Sequence, residues 1–500
     1  MSSRTQQVLK ETTIYGLGGA GSKFISFLLF PLYSRLFNVN DYGAIEVINT
    51  FLVLASILLT SGTDLAQSYY FYEYSEESER KKTISTLSIY IFLINFLVAL
   101  LVGIFSKQIS IRLLGTENFS DLLRIASLVI PWMGLYTFNL NLLRLQRKPT
   151  VYISITLPFV LLQISANILF VLILHGSLAS IFWTNLACYV LFTIIGIFIN
   201  RSYFAMHFNF SRFKEMFQYW RPLIPVNISA WFLASADRLI LSGMSTLEAT
   251  GIYSAGLRIA SVVGFFVQAF RTANLPFIFE VSKDADSSTV YQKTLSYYLY
   301  FSSLIAVAIS LFAKPLLLLF SGKEYLTALS VIAPLAFVYV LSGSSQIVSI
   351  GSLISKNTKY IGLITAVSAI LMGLGLLIVI PGYGEVGTAY VVLLANLIYN
   401  LALYLNSQKT YPIPYDWKRI LRIFLVSGSI ILLKLWIHVD VLWMDILIAL
   451  VALCFFILLT PIFSLLTTSE IKVLQKQIQL FIHNLLPGKK YKHEKVNPDS

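Results

Sequence analysis

The chain has 500 residues, 57% of them hydrophobic and only 12% charged, with a net charge of +13. A soluble domain carries about twice that charged fraction, so the composition excludes an ordinary water-soluble fold. The positive balance would suit a nucleic-acid partner, but the basic residues lie in short loops beside apolar segments, where membrane topology explains them better.

In chain order, apolar segments fall at 13–34, 43–62, 83–105, 123–143, 151–174, 177–199, 219–241, 249–271, 291–313, 326–350, 360–380, 384–405, 417–437 and 442–466. At roughly 20 residues, each can cross a ~30 Å hydrocarbon core as a helix. A helix satisfies all its backbone polar groups internally, which lipid demands. The expected fold is all-α, a polytopic membrane protein with about fourteen transmembrane helices.

Every second loop is basic: Arg80, Lys81 and Lys82; Arg144, Arg147 and Lys148; Arg201, Arg212 and Lys214; Lys283 and Lys293; Lys356 and Lys359; Lys409, Lys418 and Arg419. The opposite loops hold mainly Arg35, Lys107, Arg112, Lys314 and Lys323. The positive-inside rule therefore puts the first set and both termini in the cytoplasm. The polar N-terminus with Arg4 and Lys10, lacking a small-residue cleavage site, reads as leading into an uncleaved first span. Cys188 and Cys454 lie inside apolar segments and the five histidines in loops or tails, so no disulfide framework, metal site or cofactor is expected.

The longest connections, near 63–82 and 272–290, are too short to fold alone. The first carries Tyr69, Tyr70, Phe71, Tyr72 and Tyr74, read as an interfacial aromatic belt. After the last span, Thr467 and Glu470 form a capping-box pattern, and Ile471, Leu474, Ile478, Phe481 and Leu485 recur at helical spacing. A surface amphipathic helix is expected there, followed by a disordered tail over 489–500.

A weak internal repeat links FPLYSRLFNVNDYGAIEV (30–47) with ADRLILSGMSTLEATGIYSAGLRIAS (236–261): an Arg-Leu, a short polar turn, then a glycine, Gly43 or Gly251. Two six-span halves and a terminal pair fit that spacing, as in many transporters. The expected divisions are 1–210, 211–410, 411–468 and 469–500.

A charge at the bilayer centre costs about 2.5–3.5 kcal/mol even on lenient scales, so charged and polar residues within spans carry the functional signal. Lys23 shares a face with Gly16, Gly19 and Ser26; Arg258 shares one with Gly251, Ser254 and Ser261. Polar stripes run through Glu46, Asn49, Ser56 and Thr60; through Tyr152, Thr156, Gln163 and Asn167; through Asn227 and Asp237, with Arg221 opening that span; and through Ser342, Ser345, Gln346, Ser349 and Ser352. Small polar residues are also the usual material of helix–helix contacts, and that reading competes for each stripe. Two full cations are harder to explain by packing, and a cation-lined cavity for an anionic substrate is the sharper reading. Glu46 and Asp237 are read either as counter-charges to those cations or as carboxylates that take up a proton or sodium ion.

The Gly16, Gly18 and Gly19 run, PLYSRLFNVNDYG at 31–43, Ser61-Gly62, ADRLIL at 236–241 and TGIYSAGLRIA at 250–260 resemble the Wzx-type polysaccharide flippases of the multidrug/oligosaccharidyl-lipid/polysaccharide exporter superfamily. The resemblance implies a fold like that of multidrug exporters (MATE), with a V-shaped central cavity between two six-helix halves and an additional C-terminal helix pair. It implies a non-enzymatic flippase of the bacterial cytoplasmic membrane, acting on polyprenyl-diphosphate-linked oligosaccharide with polysaccharide polymerase and export proteins as partners. Lys23 and Arg258 fall in spans where related lipid II flippases place cavity cations; no arginine lies within the second span here. A cation-coupled drug or metabolite exporter is the first alternative and a membrane-embedded polymerase or ligase the second.

Overall fold

The structure is a computed structural model that describes residues 25, 27–205, 207–282, 284, 286–355, 358–437, 439–467, 470 and 472, with backbone alone at 275 and 276. Among these residues the secondary structure is helical, and ten helices are long and apolar enough to cross a membrane. The chain opens with α1 (Phe27–Leu36) and α2 (Val39–Ile57), then α3 (Thr63–Glu73), α4 (Glu77–Ile104), α5 (Ser106–Leu114), α6 (Ser120–Ser127), α7 (Val129–Leu145), α8 (Pro149–Asn167) and α9 (Leu178–Ile199). It continues with α10 (Phe210–Trp220), α11 (Leu223–Met244), α12 (Leu247–Val281), α13 (Ser287–Leu311), α14 (Ala313–Phe320), α15 (Leu329–Val348), α16 (Ile350–Ile354), α17 (Lys359–Thr410), α18 (Trp417–Trp436) and α19 (Leu442–Ile462).

Local chemistry places the helix starts. Asn38 caps α2 by accepting from the Asp41 amide at 2.8 Å, and Thr246 caps α12 by accepting from the Ala249 amide at 3.0 Å. Asp41 and Glu248 in the first turns complement the positive helix ends. The polar turns of the internal repeat are thus matching N-caps.

Helix α17 spans 52 residues, about 78 Å if straight, far beyond a bilayer. At Gly384 its backbone leaves helical geometry (φ 51°, ψ −133°). Thr365 Oγ1 reaches Tyr399 Oη at 3.5 Å, and a Cβ on Gly375 would meet Val391 at 2.9 Å. The element is therefore an antiparallel hairpin of two passes, matching the two segments expected over 360–405. The left-handed φ at Gly384 is a conformation that glycine adopts without steric penalty.

The polarity of the helices is reversed relative to water-soluble bundles. On α4, Leu93, Phe96, Leu97, Leu100 and Ile104 are exposed while Ser85, Ser88 and Asn95 are buried. Apolar surface that extensive is compatible with lipid and not with water. Within the molecule, α4, α6, α7, α8 and α9 pack together, as do α11, α12, α13, α15 and α17, while α18 and α19 pack on α13 and on each other. Contact between these groups runs through α2 against α11 and α12, α5 against α11, and α10 against α3 and α4.

Three sequence expectations change. The 63–82 connection is mostly helical: α3 carries the aromatic run, in which Tyr69 stacks on Tyr219 of α10 at 4.9 Å and Arg212 lies 4.2 Å over the Tyr74 ring. The aromatic run thus docks one helix on another. The 272–290 connection is largely the last turns of α12, whose 35 residues extend about 52 Å. The expected span over 123–143 lies within one apolar stretch, Ser120–Leu145, but its helix breaks at Leu128 into α6 and α7. The expected capping box is present: the Thr467 amide donates to Glu470 Oε2 at 2.8 Å and the Glu470 amide to Thr467 Oγ1 at 3.4 Å. Most of the expected amphipathic helix after it lies outside the described residues.

Candidate functional site

Helices α2 and α12 start at the same end of the molecule and touch near their starts. A Cβ on Gly43 would lie 2.1 Å from Leu247 O, and one on Gly251 would lie 2.3 Å from Val39 O. Any side chain at either position would strike backbone, so the two helices approach this closely only because both residues are glycine. The two glycines singled out by the repeat are the two that meet.

Just beyond that crossing the carboxylate of Glu46, 5% exposed, turns toward α11 and α12. Arg258 donates from Nη2 to Glu46 Oε1 at 2.6 Å and to Oε2 at 2.8 Å, and from Nε to Oε1 at 3.3 Å. Arg238 Nη1 donates to Oε2 at 3.2 Å, and Tyr42 Oη, one turn back on α2, donates to Oε1 at 3.2 Å. One carboxylate thus accepts from two guanidinium groups and a phenol. Charge-assisted, fork-shaped contacts of this kind are the strong class of hydrogen bond. Beside them Asp237 is also buried; its carboxylate accepts from the Tyr253 hydroxyl and from the Arg238 amide. Asp237 makes no ion pair among the described residues. Two arginines and two carboxylates leave this cluster formally neutral.

The cluster has unused capacity. Arg238 Nε and Ser254 Oγ are buried and have no hydrogen-bond partner among the described residues. Ser254 lies one turn before Arg258 on α12, and Asn49 one turn after Glu46 on α2. Burying a polar donor unpaired costs about 1–3 kcal/mol, so such atoms mark positions where a polar ligand or water finds a partner.

The structure gathers some of the expected site residues and separates others. Arg258, Glu46 and Asp237 come together, and Glu46 is a direct counter-charge to Arg258. Arg238 is the member that sequence reasoning left at a span end; α11 runs six residues past it, to Met244, and so carries it into the bundle. Asn227 lies ten residues before Asp237 on α11, about 15 Å away along the helix, and exposed Arg221 sits at the joint between α10 and α11. Among the described residues, the side chains of Asn49, Asn227 and Arg221 make no hydrogen bond. Gln163 donates to Asn185 Oδ1 at 2.7 Å, and Asn167 accepts from Tyr33 Oη at 2.7 Å, so both tie neighbouring helices together. Lys23 lies outside the described residues. At the level of the cluster α2 is closed against α11 and α12, because the glycine crossing brings α2 and α12 into contact.

Two groups of helices joined by a charged, glycine-lined contact, many of them long and apolar enough to span, define a polytopic α-helical membrane protein. Over residues 32–330 the chain matches the family described as polysaccharide biosynthesis protein, and it belongs to that family. It is 25% identical over 288 residues to a protein of the Lsg locus of Haemophilus influenzae, covering 55% of this chain and 67% of that protein. Among solved structures it is similar to the lipid II flippase MurJ in an inward closed conformation, with a TM-score of 0.72, 17% identity, and coverage of 90% of this chain and 98% of that one. It is also similar to an inward-facing multidrug resistance MATE family transporter of the MOP superfamily, with a TM-score of 0.59, 13% identity, and coverage of 80% and 99%. The all-helical, multi-span fold expected from the sequence is observed and is like those of MurJ and the MATE transporters, with ten helices rather than fourteen long and apolar enough to span among the described residues.

Proposed function

We propose that this protein moves an undecaprenyl-diphosphate-linked oligosaccharide from the cytoplasmic to the outer leaflet of the bacterial cytoplasmic membrane by alternating access, for surface polysaccharide synthesis. The observation that carries this reading is the Arg238–Glu46–Arg258 cluster at the contact between halves. A pair of arginines converging on one carboxylate is also a pair able to bind a phosphate. A diphosphate carries more charge than Glu46 and competes with it for the same guanidinium groups. When it does, Glu46 is released, and α2 loses its main polar tie to α11 and α12. Binding the costliest part of the substrate thereby loosens the closed contact, and one half rocks against the other.

Lys23, in the first apolar segment, adds a further cation, and Arg221 one more at the joint before α11. Asn49, Asn227 and Ser254, whose side chains make no hydrogen bond among the described residues, offer amides and a hydroxyl to sugars, whereas Gln163 and Asn167 serve the packing of the helices around the path. Asp237, buried without an ion pair among the described residues, is the carboxylate best placed to take up a coupling proton or sodium ion, with Glu46 as the second once its arginines are occupied. Both termini face the cytoplasm, the polymerase and export proteins of the pathway act downstream, and no catalysis is involved. Polysaccharide biosynthesis in the matched family, and the lipid substrate in the name of MurJ, support the same reading.

The test is substitution of Lys23 and Arg258 together by alanine. Surface polysaccharide should disappear while the protein stays in the membrane; undiminished polymer export would refute the role of these cations. Coupled drug efflux by the same protein, with no effect on polysaccharide, would instead favour an exporter.

A further inference from the structure

Away from the central cluster, a groove of about 440 Å³ opens where the end of α3, the start of α4, the end of α7 and the start of α8 converge. Arg80, Arg147 and Lys148 line it, with Phe71, Tyr72 and Tyr203 among its walls, and among the described residues no acidic one lines it. None of the three cations forms an ion pair among the described residues, whereas nearby Lys82 and Arg212 both pair with Glu79.

Two details show that these cations are positioned. Arg80 is held with its guanidinium 5.2 Å over the Phe71 ring and its Nε donating to Tyr74 O at 2.6 Å, which leaves both terminal nitrogens for a ligand. Arg147 has φ 53°, left-handed backbone that favours glycine. It occupies the left-handed position of a Schellman turn: the Lys148 amide donates to Leu143 O at 3.1 Å and the Arg147 amide to Arg144 O at 3.0 Å. An arginine where the turn prefers glycine points to a requirement for its side chain. Orientation of the protein in the membrane needs basic residues in this loop, but it requires neither their convergence on a groove nor an arginine at the glycine position.

The groove lies where the apolar stretches begin. Arg80 is one turn before Ile84 of α4, and Lys148 immediately precedes α8. That is the depth of lipid head groups, where tyrosines also collect. We propose that this groove binds the phosphate of an anionic membrane lipid, held by the arginine forks and the lysine charge with the acyl chains in the adjoining bilayer. This site is separate from the central cluster and does not depend on the proposed transport function.

The experiment uses the full-length protein purified in detergent. Phosphatidylglycerol, phosphatidylethanolamine and inorganic phosphate are each titrated, with binding read by native mass spectrometry and thermal stability in parallel. The wild type should retain phosphatidylglycerol preferentially and be protected by it. Arg80→Gln, Arg147→Gly and Lys148→Gln should each weaken binding by about fivefold, on the order of a hundredfold combined, from the usual worth of one cation at an anionic surface. Arg147→Gly serves as the folding control, because glycine suits that turn: without lipid it should be at least as stable as the wild type. Unchanged phosphatidylglycerol affinity in the triple variant would overturn the site. Equal protection by inorganic phosphate would overturn the assignment to a lipid.

Discussion

Replacing Gly43 by alanine places a methyl carbon 2.1 Å from Leu247 O, where ordinary contact begins at about 3.4 Å. The obstacle is backbone, so α2 and α12 must part by about 1.3 Å at the crossing. Carried along the helices, that shift takes the Arg258–Glu46 contacts from 2.6 and 2.8 Å to about 3.9 and 4.1 Å, beyond hydrogen-bond range. Overpacking of this kind costs about 1–3 kcal/mol, enough to change the population of the closed contact about 5- to 150-fold. The assay introduces Asn49→Cys, one turn beyond Glu46, into a background with Cys188 and Cys454 replaced by alanine. Labelling by an impermeant maleimide then reports opening of the contact between α2 and α12. Gly43→Ala should speed labelling at least fivefold. Gly103→Ala, where a Cβ meets only Ser127 Oγ at 3.6 Å, should leave it unchanged. Labelling of the Gly43→Ala protein at the parental rate would refute the idea that the glycine crossing holds the halves closed.

Glu46→Ala should destabilise the protein by up to about 3–5 kcal/mol, since it leaves two half-buried arginines around a vanished counter-charge. Thermal unfolding in detergent should show the Glu46→Ala/Arg258→Ala double variant losing clearly less than the sum of the singles; simple additivity would count against the pair. Tyr253→Phe should cost about 1.5–3 kcal/mol by removing the hydroxyl from Asp237, and should cost much less in an Asp237→Asn background. At the C-terminal cap, burial raises the Glu470 carboxyl, but hydrogen bonds from Arg419, the Thr467 amide and Tyr297, with the Arg419 charge, hold it below its ordinary value of 4.5. Its contribution is therefore complete above that pH and is lost as pH falls through the lower folded value. Melting curves between pH 6 and pH 3 should show a smaller acid-induced loss in Glu470→Gln than in the wild type.

Much of the membrane architecture was legible because lipid imposes one rule on every span. The apolar segments, the hairpin over 360–405 and the Thr467–Glu470 box follow from length, periodicity and capping chemistry alone. The site was legible in part. Arg258 and Glu46 stand out as charges inside apolar segments, and their faces are marked by Gly251, Ser254 and Asn49. Arg238 was missed because a charge near a span end reads as interfacial, and only the extension of α11 to Met244 carries it inward. Its repeat counterpart shows the ambiguity: Arg35 is exposed and donates to the carbonyls of Leu318 and Leu319 near the end of α14. The same Arg-Leu pair thus serves a helix cap in one repeat and a largely buried ion cluster in the other. Which role each arginine takes depends on a long-range neighbour, Glu46, that no local pattern reveals. In the sequence, α3 and the end of α12 look like connections because their polar and aromatic residues break the apolar run, although packing against α10 and α13 sustains helix.

The most direct measurement follows a fluorescent undecaprenyl-diphosphate-linked oligosaccharide in vesicles containing the purified protein, with a membrane-impermeant quencher reporting the leaflet it occupies. Wild-type protein should carry the lipid across, and Arg258→Ala, with the protein still inserted and folded, should abolish that movement. Translocation by the Arg258→Ala protein at the wild-type rate would contradict the role assigned to the arginine cluster.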